Sequence, residues 1–405
     1  MSFILKNCRL IPELSGHLPF EFADITVEDR KIRKIAPSGS DSYDGHVIEC
    51  EGKTLLPGII DLHIHLHAAG SFDPHTRNDF EIMKMACKNA KLYLQYGITT
   101  VRDVGSTNRV AHAVRDAINE GVFVGPRIIS GGKIIRPTGI PDDRNPASFT
   151  RGITGHNEMV KAVREEFAEG ADMVKIYASG SALQTEGVPT QPILFSEEIR
   201  AAVEVANMNG KYVAAHCHSN EAIHMCLDEG VYTIEHGTYV DDAAIEKLKE
   251  ERSYLVPTLT PMHHRKPNNR DPYEDAILEQ KLKVLAEATS VRLRAAYEAG
   301  LKMGFGTDVS INTFDVRTGM EFKMRKELCG MKNIDILLQA TKHSAFIAGL
   351  EGITGEIKEG YEADLILVDG KPDIHMEVMF KKPELVFKSG FQVANNTEAY
   401  DRCHA

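Results

Sequence analysis

The chain of 405 residues has no C-x-x-C pair, no basic run interleaved with aromatics and no long uninterrupted apolar stretch. Each absence removes a class of protein. The seven cysteines (Cys8, Cys50, Cys87, Cys217, Cys226, Cys329 and Cys403) are scattered and odd in number. They suit free thiols in a reducing compartment rather than a disulfide framework. A net charge of −11 argues against a phosphate-backbone partner, so no nucleic acid is expected. Without some 18 consecutive apolar residues no membrane span is expected. The opening Met1-Ser2-Phe3-Ile4-Leu5-Lys6 lacks a charged segment followed by an apolar core, so a secretory signal is not expected and a cytoplasmic protein is. At 42% hydrophobic and 26% charged residues, the rest is ordinary globular composition. The length fits one large domain with a smaller one, or two medium domains.

What is present is an alternation. Short β-branched runs at Leu55–His65, Thr99–Gly105, Arg127–Gly132, Asp172–Ser179, Tyr212–His218, Thr233–Gly237, Tyr254–Pro261 and Lys302–Val309 read as strands. Amphipathic stretches separate them, among them Glu81–Tyr96, Val110–Glu120, Glu158–Glu169, Glu197–Asn209, Glu221–Glu229, Ala243–Arg252 and Val291–Ala299. Gly97, Gly121, Gly170, Gly210, Gly230 and Gly300 each follow a helical pattern and precede a strand, the place of a left-handed C′ residue. Ser196 before Glu197 and Glu198 reads as a helix N-cap. Eight such units predict an α/β protein built as a (β/α)₈ TIM-like barrel. A doubly wound sheet would have fewer strands and a Gly-rich phosphate turn after the first, which is missing. Before and after this region the chain reads as short strands: Phe3–Leu10, Phe22–Val27, Ile32–Ile35 and His46–Glu49, then Asp364–Val368, Leu385–Lys388 and Phe391–Val393, with a helical stretch at Ile334–Leu350. The expected division is a small β-sandwich from residues 1–54 plus 356–405 and a barrel over 55–355.

Barrels of this kind place their sites at the C-terminal ends of the strands. Reading those ends in order gives His63 and His65, then Lys175, His216 and His218, His236, and Asp308. His63 and His65 stand two apart on a strand, so both face one way and can hold one metal. An ammonium inside a barrel costs several kcal/mol, on the order of a buried unpaired ion, so something must neutralise Lys175. Carbamylation by carbon dioxide would convert it into a carboxylate able to bridge two cations.

The ordered set Pro57-Gly58-Ile59-Ile60-Asp61-Leu62-His63-Ile64-His65, Val174-Lys175-Ile176, Ala215-His216, Glu235-His236-Gly237 and Gly306-Thr307-Asp308 resembles the amidohydrolase superfamily. It is similar in particular to the binuclear-zinc branch of Xaa-Pro and Xaa-Arg/Lys dipeptidases and ochratoxin-hydrolysing amidases. The segment Gly355-Glu356-Ile357-Lys358-Glu359-Gly360-Tyr361-Glu362-Ala363-Asp364-Leu365 resembles the return of that family into its β-sandwich. The resemblance implies two divalent metal ions, zinc, with His63, His65 and Asp308 on the more buried one and His216 and His236 on the other. Carboxylated Lys175 and a hydroxide would bridge them. It implies Asp308 as the proton acceptor and His218 as a contact to the substrate carbonyl or carboxylate. Tyr177, His218 and Arg136 are expected substrate residues; Arg265 stands near another strand end. Cys217 is expected to face outward, His67 to lie in a loop beyond its strand, and His263 and His264 to be loop histidines. The substrate is expected to be a dipeptide or N-acyl amino acid and the enzyme a homo-oligomer.

Two loops depart from the family pattern. Thr138-Gly139-Ile140-Pro141-Asp142-Asp143 replaces a Thr-Gly-Gly-His type turn, and Gly180-Ser181-Ala182-Leu183-Gln184-Thr185-Glu186-Gly187 replaces a Gly-Gly-Val-rich one. Metal chemistry is thus better defined than substrate. The alternatives are a mononuclear aminohydrolase, which would place a glutamate directly after the fifth-strand histidine, and a non-catalytic scaffold of the same fold.

Overall fold

The computed structural model describes residues 2–40, 43, 45–67, 78–140, 148–182, 188–250, 252–263, 272–308 and 314–396. Among these, the first strands are β1 (Ser2–Arg9), β2 (Phe22–Glu28), β3 (Lys31–Pro37), β4 (His46–Glu49) and β5 (Thr54–Pro57). The middle of the chain supplies β6 (Ile59–Ile64), β7 (Ile98–Asp103), β8 (Arg127–Ser130), β9 (Ile134–Pro137) and β10 (Thr150–Ile153). It continues with β11 (Val174–Tyr177), β12 (Val213–Cys217), β13 (Thr233–His236) and β14 (Tyr254–Val256). The last strands are β15 (Leu365–Val368), β16 (Leu385–Lys388) and β17 (Phe391–Asn395).

Both ends of the chain meet in one mixed sheet of order β17-β16-β15-β5-β1-β2-β3, with β4 beside β1. It has its own core, which includes Phe3, Leu5, Ile25, Leu365 and Phe387. The Arg9 guanidinium, almost fully buried, ties the sheet together by donating to both oxygens of Asp373 at 2.7 and 2.8 Å and to Glu21 at 2.8 Å.

The middle strands are all parallel. They form a sheet of order β6-β7-β8 and another of order β10-β9-β11-β12-β13-β14. Their near-continuous apolar sequences follow from being covered on both faces, and every residue of β6 is buried. The two sheets are joined on one side where the Asp172 amide donates to Ser130 O at 2.8 Å. On the other side residues 303–308 run between β14 and β6. Gly304 N donates to Leu255 O at 2.9 Å, Leu62 N to Phe305 O at 2.8 Å and Asp308 N to His63 O at 2.8 Å. Helices such as Asp79–Gln95, His156–Ala168 and Ser196–Met208 pack outside. The six glycines expected to close helices all have positive φ, between 63° and 96°.

Several expectations need correction. The run Leu55–His65 is two strands: β5 pairs with β15 in the end sheet, and the chain turns at Gly58 into β6. Only glycine fits there, because a Cβ would lie 2.1 Å from Thr99 Oγ1. Of Lys302–Val309, Val309 lies outside the described residues and the rest makes one parallel bridge, Met303 to Leu255, rather than a strand. Gly304, Gly306 and a left-handed Asp308 (φ 47°) interrupt the ladder. The Tyr254–Pro261 run stops at Val256, and a short helix begins at Thr260. β9 and β10 were not expected. Val291–Ala299 is the end of a helix that starts at Pro272, and Ile334–Leu350 contains a π-turn at Gln339–His343. The N-cap of Ser196–Met208 is Phe195, not Ser196; its amide is capped by Glu198 Oε2 at 2.9 Å.

The segment 303–308 is packed too closely to accept a methyl group. A Cβ on Gly306 would stand 2.8 Å from His63 Cβ and 2.9 Å from Val256 Cγ1. Gly306→Ala is expected to cost about 1–3 kcal/mol by overpacking, read as a lower midpoint in denaturant unfolding. An unchanged midpoint would mean that this segment does not lie wedged between β6 and β14.

Candidate metal centre

Strand alternation decides which side chains turn inward. On β11, Lys175 and Tyr177 face away from Val174 and Ile176, which join the core under the helices. On β12, His216 turns inward while Val213, Ala215 and Cys217 pack outward, Cys217 against the region of Cys226. On β13 the same alternation turns Thr233 and Glu235 inward, so His236 should follow Ile234 outward. It does not: its backbone is left-handed at φ 69°, and its ring enters the cavity. Asp308 reaches the same cavity from φ 47°. Non-glycine residues held in this region are strained and cluster at functional sites.

These side chains line a cavity of about 240 Å³ at the C-terminal ends of the parallel strands. Its wall includes His63, His65, Lys175, His216, His218, His236 and Asp308, faced by Phe149, Tyr177, Pro261 and Met262. Two trios of possible ligands stand in it, His63/His65/Asp308 and His216/His218/His236, the ligating atoms of each within 4.8 Å of one another. Asp308 Oδ1 is 3.8 Å from His63 Nε2 and 3.6 Å from His65 Nε2. His216 Nδ1 and His236 Nε2 are 3.0 Å apart. The Tyr177 ring lies over His216 with centroids 4.5 Å apart.

Each imidazole has its other nitrogen held from behind. His63 Nδ1 meets Glu235 Oε2 at 2.6 Å and His65 Nδ1 meets Gly105 O at 2.8 Å. His236 Nδ1 meets Thr258 Oγ1 at 2.7 Å, His218 Nδ1 meets Thr238 Oγ1 at 2.8 Å, and His216 Nε2 lies 3.4 Å from Gly180 O. Such outer contacts fix ring orientation in metal sites. Asp103 in turn holds the Gly105 turn by accepting from Leu66 N at 2.7 Å and Gly105 N at 3.1 Å. Asp61 accepts from Thr307 Oγ1 at 2.6 Å and so fastens β6 to the Asp308 turn.

The electrostatics suit cation binding. Lys175 is 1% exposed and its ammonium has no hydrogen-bond partner among the described residues. Burial first, then the Arg102 charge, pushes it down to about 8 against the pull of Glu235 and Asp308. Burial, reinforced by Lys175, lowers His63 to about 3 and His65 to about 4, and drives His216 and His236 well below their ordinary value. His218 falls to about 3 through burial, Lys281 and Lys175. All five rings are therefore neutral at physiological pH, the ligating form. Burial raises Asp308 to about 7 against the opposing Lys175 charge. An unpartnered buried amine beside neutral imidazoles and a carboxylate is a donor set that fits divalent cations.

The other candidates are placed as follows. Arg136 is on β9, donates to Thr150 Oγ1 at 2.9 Å, and is not in the described wall of this cavity. His67 lies beyond β6 and does line it, its ring 4.9 Å from Phe149. His263 ends a short helix and borders a neighbouring cleft. Pro141, Asp142, Asp143, residues 183–187, His264, Arg265 and Cys403 lie outside the described residues.

Two buried charged groups beside the site were given no role in the sequence reading, Glu235 and Arg102. Arg102 is fully buried and donates to Leu62 O at 2.7 Å, to Thr233 Oγ1 at 3.1 Å and to Glu235 Oε1 at 2.7 Å. Burial opposes ionisation of Glu235, but Arg102, Lys175 and His63 together hold its carboxyl well below the usual range. The signal was available: an arginine in the apolar run Thr99–Gly105 needs a buried acceptor, and Glu235 shares the inward face with Thr233.

The chain is similar in sequence and fold to known proteins. The chain is 27% identical over 365 residues to an ochratoxinase of Aspergillus niger, an alignment covering 82% of this chain and 73% of that one. A prolidase solved with N-methylphosphonate-L-proline superposes with a TM-score of 0.87 at 27% identity, over 98% of this chain and all of the other. A Xaa-Pro dipeptidase with methionine in its active site superposes with a TM-score of 0.84 at 28% identity, over 97% and 99% of the two chains. Residues 54–393 match the model of the amidohydrolase family, and the chain belongs to that family.

Proposed function

We propose that the protein is a zinc-dependent hydrolase that cleaves an amide or peptide-like C–N bond in a small substrate, a dipeptide or N-acyl amino acid. The observation that carries this reading is Lys175, a buried amine without a hydrogen-bond partner among the described residues, in a cavity whose wall also holds His63, His65, His216, His218, His236 and Asp308. Carboxylated, Lys175 would join His63, His65 and Asp308 around one cation and His216 and His236 around a second. Divalent ions held there would supply Lewis-acid polarisation of the scissile carbonyl and would lower the pKa of a bound water so that it could attack at neutral pH.

The chain's own residues do the rest. Asp308, with its carboxyl raised towards neutrality, takes the proton from the attacking water at a side-chain oxygen and returns it to the departing amine. His218 Nε2, on a ring anchored through Nδ1 to Thr238, donates to the substrate carbonyl or carboxylate. Tyr177 and the apolar wall of Phe149, Pro261 and Met262 confine the acyl or side-chain part and exclude water. Arg136, which donates to Thr150 and is not in the described wall of the cavity, would touch only a substrate that extends beyond that wall. A mononuclear aminohydrolase would need an acid directly after His216; Glu221 is instead exposed on the helix Asn220–Asp228.

The architecture belongs to the same reading. The hydrogen bonds of Ser130 and of residues 304–308 support closure of the two parallel sheets into a (β/α)₈ barrel over residues 55–355. The end domain expected from residues 1–54 and 356–405 is, among the described residues, one mixed sheet that also takes in β5, and the chain passes to the barrel strands at Gly58. Among the described residues no helix is long and apolar enough to cross a membrane. A cytoplasmic homo-oligomer acting on a small molecule, with neither nucleic acid nor membrane as partner, completes the proposal.

Lys175→Ala is expected to bind fewer than two zinc ions per chain. Turnover should fall by at least the 10–100-fold typical of losing a ligand's outer partner. Elemental analysis beside a hydrolysis assay on dipeptide and N-acyl amino acid libraries reads both; two ions and full turnover would refute the reading. Asp308→Asn should lower kcat by about 100-fold or more, as for loss of a general acid–base group, and an unchanged kcat would remove Asp308 from proton transfer.

A further inference from the structure

We propose that Glu235, fixed by Arg102, makes the His63/His65/Asp308 position the tighter of two metal positions, and that the His216/His236 position fills second because His236 must change tautomer. This rests on the two-metal reading above.

The two positions are supported by different chemistry. Behind His63 stands a carboxylate with no exposure, its Oε2 accepting from Nδ1 at 2.6 Å. The other oxygen, Oε1, is taken by Arg102 Nη2 at 2.7 Å and Thr233 Oγ1 at 2.6 Å. A carboxylate cannot donate, so the ring proton sits on Nδ1 and the Nε2 lone pair points towards Asp308. Gly105 O enforces the same arrangement on His65. Both rings thus stand in their ligating tautomer before any metal arrives. The charge-assisted bond also makes His63 a stronger donor. Arg102 holds Leu62 O on β6 as well as Glu235 on β13, so the acceptor and the ligand strand are fastened to one another.

Behind His216 and His236 every partner is neutral. Gly180 O accepts from His216 Nε2 across 3.4 Å, which leaves the Nδ1 lone pair facing His236 Nε2 at 3.0 Å. Two lone pairs at that separation repel. Without a cation, His236 therefore carries its proton on Nε2 and donates it to His216, while Nδ1 accepts from the Thr258 hydroxyl at 2.7 Å. To ligate, His236 must hold the proton on Nδ1 instead and Thr258 must turn to accept it. The ring keeps one proton throughout, and a hydroxyl can serve in either sense. The rearrangement weakens the second position and leaves the first untouched.

The test is zinc retention by the full chain, measured by elemental analysis after equilibration with graded chelator and without reference to turnover. The wild type should lose zinc in two separate steps of one ion each. Glu235→Gln should weaken the tighter step by about 10–100-fold and leave the other in place; Thr258→Val should move only the weaker step. If E235Q does not fold around the stranded Arg102 charge, the double variant R102M/E235Q removes that charge and gives the same readout. Simultaneous loss of both ions from the wild type, or equal weakening of both steps in the Glu235 variant, would overturn the inference. Failure of the wild type to hold two ions at saturation would overturn the two-metal reading instead.

Discussion

A lysine ammonium shut away from water, with no hydrogen-bond acceptor among the described residues, governs the organisation of this protein. An unpaired buried ion costs several kcal/mol in order of magnitude. Around Lys175 the cost is partly offset by the charges of Glu235 and Asp308, and it is turned to account by the imidazoles. Burial above all keeps His63, His65, His67, His216, His218 and His236 neutral, so six imidazoles with lone pairs share one small cavity.

The parallel strands supply rigidity, and breaks in their regularity supply aim. Alternation alone would send His236 outward, and the described wall of the cavity would then hold no side chain of β13. The left-handed backbone of His236 turns its ring into the cavity, 4.7 Å from the His63 ring, while Glu235 accepts from His63 Nδ1. Asp308 gains its direction in the same way, from a turn held by Asp61 and Thr307. Close approach at Gly58 and Gly306 brings β6 against Thr99 on one side and Val256 on the other, setting His63 within reach of residues from distant parts of the chain.

Much of this was legible in the sequence because it depends on local periodicity. The His63-x-His65 spacing, the strand-end positions of Lys175 and His216, and the six glycines that close helices follow from strand and helix periods alone. What escaped depends on tertiary partners. Arg102 looks like an anomaly in an apolar run until Glu235 is seen to accept from it. Phe195 has no capping side chain, and its amide is satisfied by Glu198 instead, so the residue pattern pointed one position too far along. Among the described residues β9 and β10 are short and pair only with β11 and each other, and residues 303–308 hydrogen-bond to two strands without strand geometry.

The central claim is that Lys175 is a carbamate joining two cations rather than a bare ammonium. A crystal structure of the zinc-loaded protein, with anomalous scattering recorded at the zinc edge, tests it most directly. The account predicts two anomalous peaks, one among His63, His65 and Asp308 and one beside His216 and His236, with continuous density beyond Lys175 Nζ touching both. A single peak or none, with density ending at Nζ, would contradict it.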